Sequence, residues 1–316
     1  MQSQFDLLAK HEPFFFRMVT CIIGGPFMKR KILAMLLIIT MLISIPSISF
    51  ADAVEGDVIV SLGENLTEQQ EKDMLAELEV PENAQMITVS NKEEHDYLGE
   101  FIPKSQIGSR AISSASITMG AKESGLEVQT NNITWVTDEM YINALTTAGV
   151  KDATIQISSP FEVSGTAALT GIMKAYEATT NKEIPEEIKK VANEEMVKTA
   201  QLGDSIGADN AASLMGKVKD EIAKNEPKTE ADLRALIEQV AAELGITLTD
   251  AELDMLVDFF NQLKAMDIDW NQVKEQLSVT AEKVSTFLQS EEGQSFLQKL
   301  QDFLNRSLDT IRELTA

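Results

Sequence analysis

Two kinds of hydrophobic spacing divide the chain near residue 180. Before it, apolar residues come in short runs bounded by Gly, Pro, Asn and Asp; after it they recur at helical intervals almost without a break. In the first part, residues 58–62, stopped by Gly63, predict a buried strand. Residues 67–79 predict a helix, with Thr67 and Gln70 at the spacing of a capping box. Residues 84–89 predict a second strand, and 91–101 a short helix with Asn91 as N-cap and Glu93 and Glu94 near its positive end. Two further strands, 111–119 and 126–136, are separated by Gly120 and Gly125 and read as an antiparallel pair. Residues 133–136, a helix over 138–148 stopped by Gly149, and a strand over 153–158 restate the strand–helix–strand order of 58–89, so duplicated βαβ units are one expectation. A helix over 164–179 follows, in which Ala167, Ala168, Gly171 and Ala175 allow close approach to a sheet.

From Pro185 onward the pattern predicts helices over 186–202, 208–224, 229–244, 250–266, 270–289 and 292–314. Leu233, Leu236, Ile237, Val240 and Leu244 form one apolar stripe, and Leu253, Leu256, Val257, Phe260 and Leu263 the next. Thr229 with Asp232, Thr249 with Glu252 and Asp269 with Gln272 mark helix starts. The short connections favour antiparallel neighbours in a bundle. The fold class expected is an α+β or α/β domain over 52–180, with a mixed sheet and flanking helices, followed by an all-α helical region over 181–316.

The first fifty residues read differently. Met28-Lys29-Arg30-Lys31 is a basic start, and residues 32–45 form an apolar stretch of the ~7–15 residue class found in signal peptides, short of the ~20 needed for a span. Pro46 and the small residues after it offer cleavage after Ala51, or after Ala53. No Cys stands there, which excludes a lipoprotein anchor, and a retained N-terminal anchor is the alternative. Residues 28–51 are thus expected to be a signal peptide, and 1–27 an upstream extension from a mistaken gene start. The expected product is extracellular or envelope-associated, without a stable membrane span after cleavage.

Composition sharpens that picture. The 316 residues carry 27 Lys+Arg against 50 Asp+Glu, a net charge of −23. Removing residues 1–51 takes away five basic and two acidic residues, leaving 22 against 48 and a net −26. Nucleic acid is excluded as a partner, because phosphate binding needs a clustered basic footprint. Cys21 and His11 leave with the same segment, so the expected mature chain has no Cys and one His, His95. Thiol chemistry and disulfides are excluded there, and cysteine-free exported chains suit Gram-positive bacteria.

Three stretches then carry a resemblance: Asn132-Ile133-Thr134-Trp135-Val136-Thr137, Asn143-Ala144-Leu145-Thr146-Thr147-Ala148-Gly149-Val150, and residues 160–172 around Ser164-Gly165-Thr166. Together with residues 60–67, 107–114 and 192–196, they make the chain similar to the YpuA-like exported proteins of Gram-positive bacteria, domain-of-unknown-function family 1002. The resemblance implies export and an α/β domain followed by helices. It supplies no catalytic residues, because the family has no assigned activity.

Several residues are candidates for chemistry. Ser164, Gly165 and Thr166 follow a strand and open the predicted helix, where backbone N–H groups and the helix dipole can hold an anion; equally, Ser164 is a plain N-cap and Gly165 a tight turn. The Lys of a P-loop and the glycine spacing of a dinucleotide fingerprint are missing. Trp135, with Asn132 nearby, suits a platform for sugar or peptide, or else is a core aromatic. Arg110 is the only charged residue from Gln106 to Gly120, and takes either a carboxylate ligand or, as favoured, an acidic partner within the chain. Asp267 and Asp269 resemble the start of a calcium loop, but Gln272 and Ser278 stand where Gly and Glu are needed, so Asp269 reads as a cap. His95 reads as a surface histidine. No catalytic residue, metal or cofactor is assigned. The leading expectation is a non-enzymatic binding or interaction protein with an envelope protein partner. A carboxylate-dependent envelope hydrolase and an assembly module built from the C-terminal helices are the alternatives.

Overall fold

The computed structural model describes residues 54–289. The predicted upstream extension, signal peptide and last helix lie outside the described residues. Five strands form one mixed sheet in the order β2-β1-β3-β5-β4: β1 Val58–Gly63, β2 Gln85–Val89, β3 Ser114–Met119, β4 Leu126–Ile133 and β5 Ala153–Val163. β1 and β2 are parallel, as are β4 and β5, while β3 runs antiparallel between β1 and β5.

The expected β3–β4 pair is not formed, because β5 lies between them. Asp152, immediately before β5, explains why. Its carbonyl accepts from Gly120 N–H at 2.7 Å and its carboxylate from Gly125 N–H at 3.1 Å, so both ends of the β3–β4 turn close on the start of β5. These contacts are long-range and leave no trace in local spacing.

The sheet has two unlike faces. Ile59, Ala115, Ile117, Val128, Ile155 and Ile157 join the main core with α4 Asp138–Thr147, α5 Ala168–Thr180 and α6 Glu186–Ile206. Close packing of α5 depends on Gly171, where a Cβ would stand 2.7 Å from Ser61 Oγ. On the other face lies α1 Glu68–Glu77, whose Glu77 accepts from Ser158 Oγ at 2.6 Å and from Asn131 Nδ2 at 2.5 Å, two side chains paired in register. The crossovers β1–α1–β2 and β4–α4–β5 step in the same direction along the sheet, yet their helices cover opposite faces. They therefore have opposite hands, and the second unit does not repeat the first in space.

Helix starts follow the capping chemistry with two shifts. Thr67, Thr229 and Thr249 each close a capping box. Asp269 accepts from the N–H groups of Asn271 and Gln272, both at 3.0 Å. α2 Asn91–Leu98 is capped by Ser90 in a box with Glu93, not by Asn91, whose amide is used elsewhere. α5 begins at Ala168, four residues later than expected, so Ser164 is not its N-cap. A short α3, Lys104–Ile107, precedes β3.

Beyond β5 every described element is a helix: α5, α6, α7 Ala208–Asn225, α8 Glu230–Glu243, α9 Asp250–Ala265 and α10 Trp270–Gln289. α6 belongs to two cores at once. Ala192, Met196 and Ala200 face the sheet core, whereas Val191 and Leu202 join a second core with Leu214, Ile237, Leu256 and Phe260. Between α4, α6 and α7 lies a fully buried ion pair, Lys219 Nζ to Glu195 Oε1 at 2.6 Å. Lys219 also donates to the Asn143 carbonyl at 2.7 Å, and Thr147 Oγ1 donates to Glu195 Oε2 at 2.5 Å. Burial pushes the Lys219 ammonium below its ordinary value, and the Glu195 carboxylate opposes that shift. None of the described helices is long and apolar enough to cross a membrane.

Candidate binding cleft

The cleft originates where β3 and β5 stop pairing. Their ladder ends at Ser114 and Ser158. Two residues further, Pro160 has no N–H with which to extend it. β5 continues along β4 instead, after an irregularity between Asn131 and Ile133 that brings Ile133 opposite Val163. The extra residues of that bulge lie on β5, where 159–162 stand opposite Asn132 alone. Asn132 has φ 58°, a left-handed conformation that Asn tolerates better than most residues, and its Nδ2 donates to the Ser159 carbonyl at 2.8 Å. The segment before β3 is drawn the other way. Ala111 N–H donates to Asn65 Oδ1 at 2.8 Å, and the Ala111 carbonyl accepts from Asn65 N–H at 2.9 Å.

The divergence leaves a cleft of about 460 Å³ with residues 106–110, Ile112 and Ser113 on one wall and Phe161 and 163–167 on the other. Arg110, Ser164, Gly165 and Thr166, singled out separately in the sequence, meet here. Trp135 and Asn132 do not. Trp135 is half-buried, packs against the main core and donates from Nε1 to Asp204 Oδ1 at 3.0 Å, which ties the entry of α4 to α6. It forms no platform in this cleft.

Arg110 is the one charged residue on these walls. Its guanidinium is exposed and donates to the Asn65 carbonyl at 3.0 Å. The acidic partner expected within the chain is absent among the described residues; the neighbour Arg110 reaches is the carbonyl of Asn65, whose own N–H and side-chain oxygen are both bonded to Ala111. Across the cleft, Ser164 Oγ and Thr166 Oγ1 stand 3.3 Å apart. Gly165 has φ 92°, and a Cβ there would lie 2.4 Å from Ile133 Cγ2 and 2.6 Å from Tyr141 Oη. Tyr141, fully buried, donates its hydroxyl proton to the Gly165 carbonyl at 2.5 Å. Burial raises its phenol well above the ordinary tyrosine value, which keeps it a donor. Ile112, Phe161 and Val163 supply the apolar part, with Phe161 48% exposed.

Behind the Arg110 wall stands a group that the sequence reading missed. His95 is half-buried rather than on the surface, and its Nε2 bonds the Gly108 carbonyl at 2.9 Å; since a carbonyl only accepts, that nitrogen carries the proton. Asn91 Nδ2 reaches the same carbonyl at 3.4 Å and donates to Glu94 Oε2 at 2.9 Å. Glu94 is 1% exposed. Burial pushes its carboxyl up to about 7, with Glu64 and Glu93 adding to the rise and the Asn91 bond opposing it. The helical interval from Glu94 to the buried Leu98 was the available signal that Glu94 points inward.

No Asp, Glu, His or Cys lines the cleft, and no group of three or more such residues among the described residues is placed to hold a metal ion. Asp269 serves as a helix cap. The arrangement can hold one negative charge at Arg110, hydrogen-bond polar groups through hydroxyls, and cover an apolar side chain.

The family model described as "Protein of unknown function (DUF1002)" matches residues 62–280. The "Uncharacterized protein YpuA" of Bacillus subtilis (strain 168) is 52% identical over 277 residues, covering 87% of this chain and 96% of that protein. No solved structure matches. With the family model spanning both the sheet and the helices packed on it, the chain belongs to the DUF1002 family.

Proposed function

We propose that this is an exported, extracellular or envelope-associated protein that acts by binding, and that the partner enters the cleft between β3 and β5. The observation that carries the reading is Arg110: a cation facing a cleft without an acidic side chain, in a chain where acidic residues outnumber basic ones 50 to 27. A structural arginine in such a chain has ample carboxylates to choose from; this one is held by a carbonyl that leaves donors of its fork for another acceptor. Export is supported by the basic and apolar pattern of residues 28–51. The envelope partner is a protein, because net negative charge repels anionic lipid and wall polymers. The absence of acid, base or thiol groups on the cleft walls favours binding over catalysis there.

The test is capture from envelope fractions with the wild-type chain and with Arg110→Glu as bait. The wild type retains an envelope protein and Arg110→Glu, folded by circular dichroism, does not. Equal retention by both baits, or none by the wild type, contradicts the reading.

A further inference from the structure

We propose that the segment of the partner taken by this cleft is an extended peptide end, with its free C-terminal carboxylate on Arg110 and an apolar last side chain against Ile112, Phe161 and Val163. This rests on the binding reading above and adds the ligand's chemistry. Three independent features lead to it.

The first is the backbone. A strand that loses its neighbour presents a free edge, and extended peptides are recognised by joining such an edge. Here the β3–β5 ladder stops at Ser114 and Ser158, and β5 runs on as strand through Val163. The facing segment 109–113 is irregular and Ala111 is already bonded to Asn65, so the edge left open to a peptide is that of β5. Volume limits the occupant to something short, because about 460 Å³ lies toward the lower part of the ~300–1,000 Å³ range of small-ligand sites.

The second is charge. One guanidinium with no second cation matches a single carboxylate, in a geometry that Arg engages through two parallel N–H donors. A phosphate dianion is poorly matched by one cation, and a peptide carrying several acidic side chains is repelled by the net negative chain. The third is the apolar patch. Phe161 is one of only a few large hydrophobic side chains that stand exposed among the described residues, and it stands at this cleft. The hydroxyls of Ser109, Ser113 and Ser164 are available to peptide amide groups, which need both donors and acceptors, while the buried Thr166 supports Ser164 from behind.

The experiment uses the full chain and a pool of tetrapeptides randomised at all four positions, prepared once as free acids and once as C-terminal amides. Affinity selection is read by mass spectrometry. The expected result is enrichment of free acids ending in Leu, Ile, Val or Phe, with the amides at least about tenfold weaker, the scale of one charge-assisted hydrogen-bonded contact. Arg110→Met removes the enrichment and Arg110→Lys keeps part of it, while Phe161→Ser lowers the preference for an apolar last residue without abolishing the acid preference. Arg110 and Phe161 are both exposed, and matching circular dichroism spectra establish that the variants fold. Equal enrichment of acids and amides overturns the proposal, as does no enrichment of either. If no peptide is enriched while envelope capture still depends on Arg110, the binding reading stands and the peptide assignment falls.

Discussion

Lys219 and Arg110 are two cations in the same acidic chain, treated in opposite ways. Lys219 is fully buried and surrounded by partners: Glu195, the Asn143 carbonyl and Thr147. Arg110 is exposed and bound to a single carbonyl. A charge withdrawn from water must be matched on the spot, whereas an exposed one need not be. The difference separates a group whose work is finished when the chain folds from one that keeps donors for something else.

Removing the finished group has the largest expected consequence. Lys219→Met strands the Glu195 carboxylate and lowers stability by about 3–5 kcal/mol, while Lys219→Met with Glu195→Leu recovers most of that loss. Urea unfolding measures both. A single variant as stable as the wild type breaks the comparison, because the pair would then not be matched as described.

Glu94 is intermediate, since it is buried like Lys219 but has no cationic partner among the described residues. Its carboxyl is raised to about 7, so its contribution favours folding fully below its unfolded value near 4.5 and is lost as pH rises through about 7. Wild-type stability is expected to fall by about 2–3 kcal/mol between pH 5 and pH 8 on this account, and Glu94→Gln to flatten that slope. An unchanged slope in Glu94→Gln shows that the group is hydrated. Because Asn91 links Glu94 to the Gly108 carbonyl, the same ionisation is expected to weaken protection of the Gly108 wall in hydrogen exchange.

Smaller effects follow. Ser90→Ala removes the side-chain half of the α2 capping box and costs about 1 kcal/mol, measured by thermal or urea unfolding; Asn91→Ala does not act as a cap substitution. A larger cost for Asn91→Ala than for Ser90→Ala would make the Gly108 contact the stronger of the two. Arg110→Met changes stability least, by less than about 0.5 kcal/mol, because the side chain is exposed. A loss of 2 kcal/mol or more would place Arg110 with Lys219 as a structural cation.

The sequence made the local elements readable because their causes are local. Thr67, Thr229 and Thr249 cap helices through contacts three residues away, and the apolar stripes of α8 and α9 follow helical geometry. Pairing of β3 with β5 escaped because Asp152 joins Gly120 and Gly125 from a distance in the chain. His95 was misplaced for a similar reason: its partner is a backbone carbonyl thirteen residues on, which has no residue-type signature. Arg110 and Ser164-Gly165-Thr166 were each visible as unusual, but their meeting depends on Pro160 ending one ladder and on the β5 bulge opposite Asn132 in the other. The Glu195–Lys219 pair was hidden among the chain's many acidic residues, any of which was formally available.

The most direct test of the central claim is hydrogen exchange of the full chain with and without soluble envelope proteins, in wild type and Arg110→Met. Slowed exchange is expected to be confined to residues 106–113 and 161–167 in the wild type and to be lost in Arg110→Met. Protection confined instead to the helices over 208–289, with the cleft unchanged and the two chains alike, would contradict it.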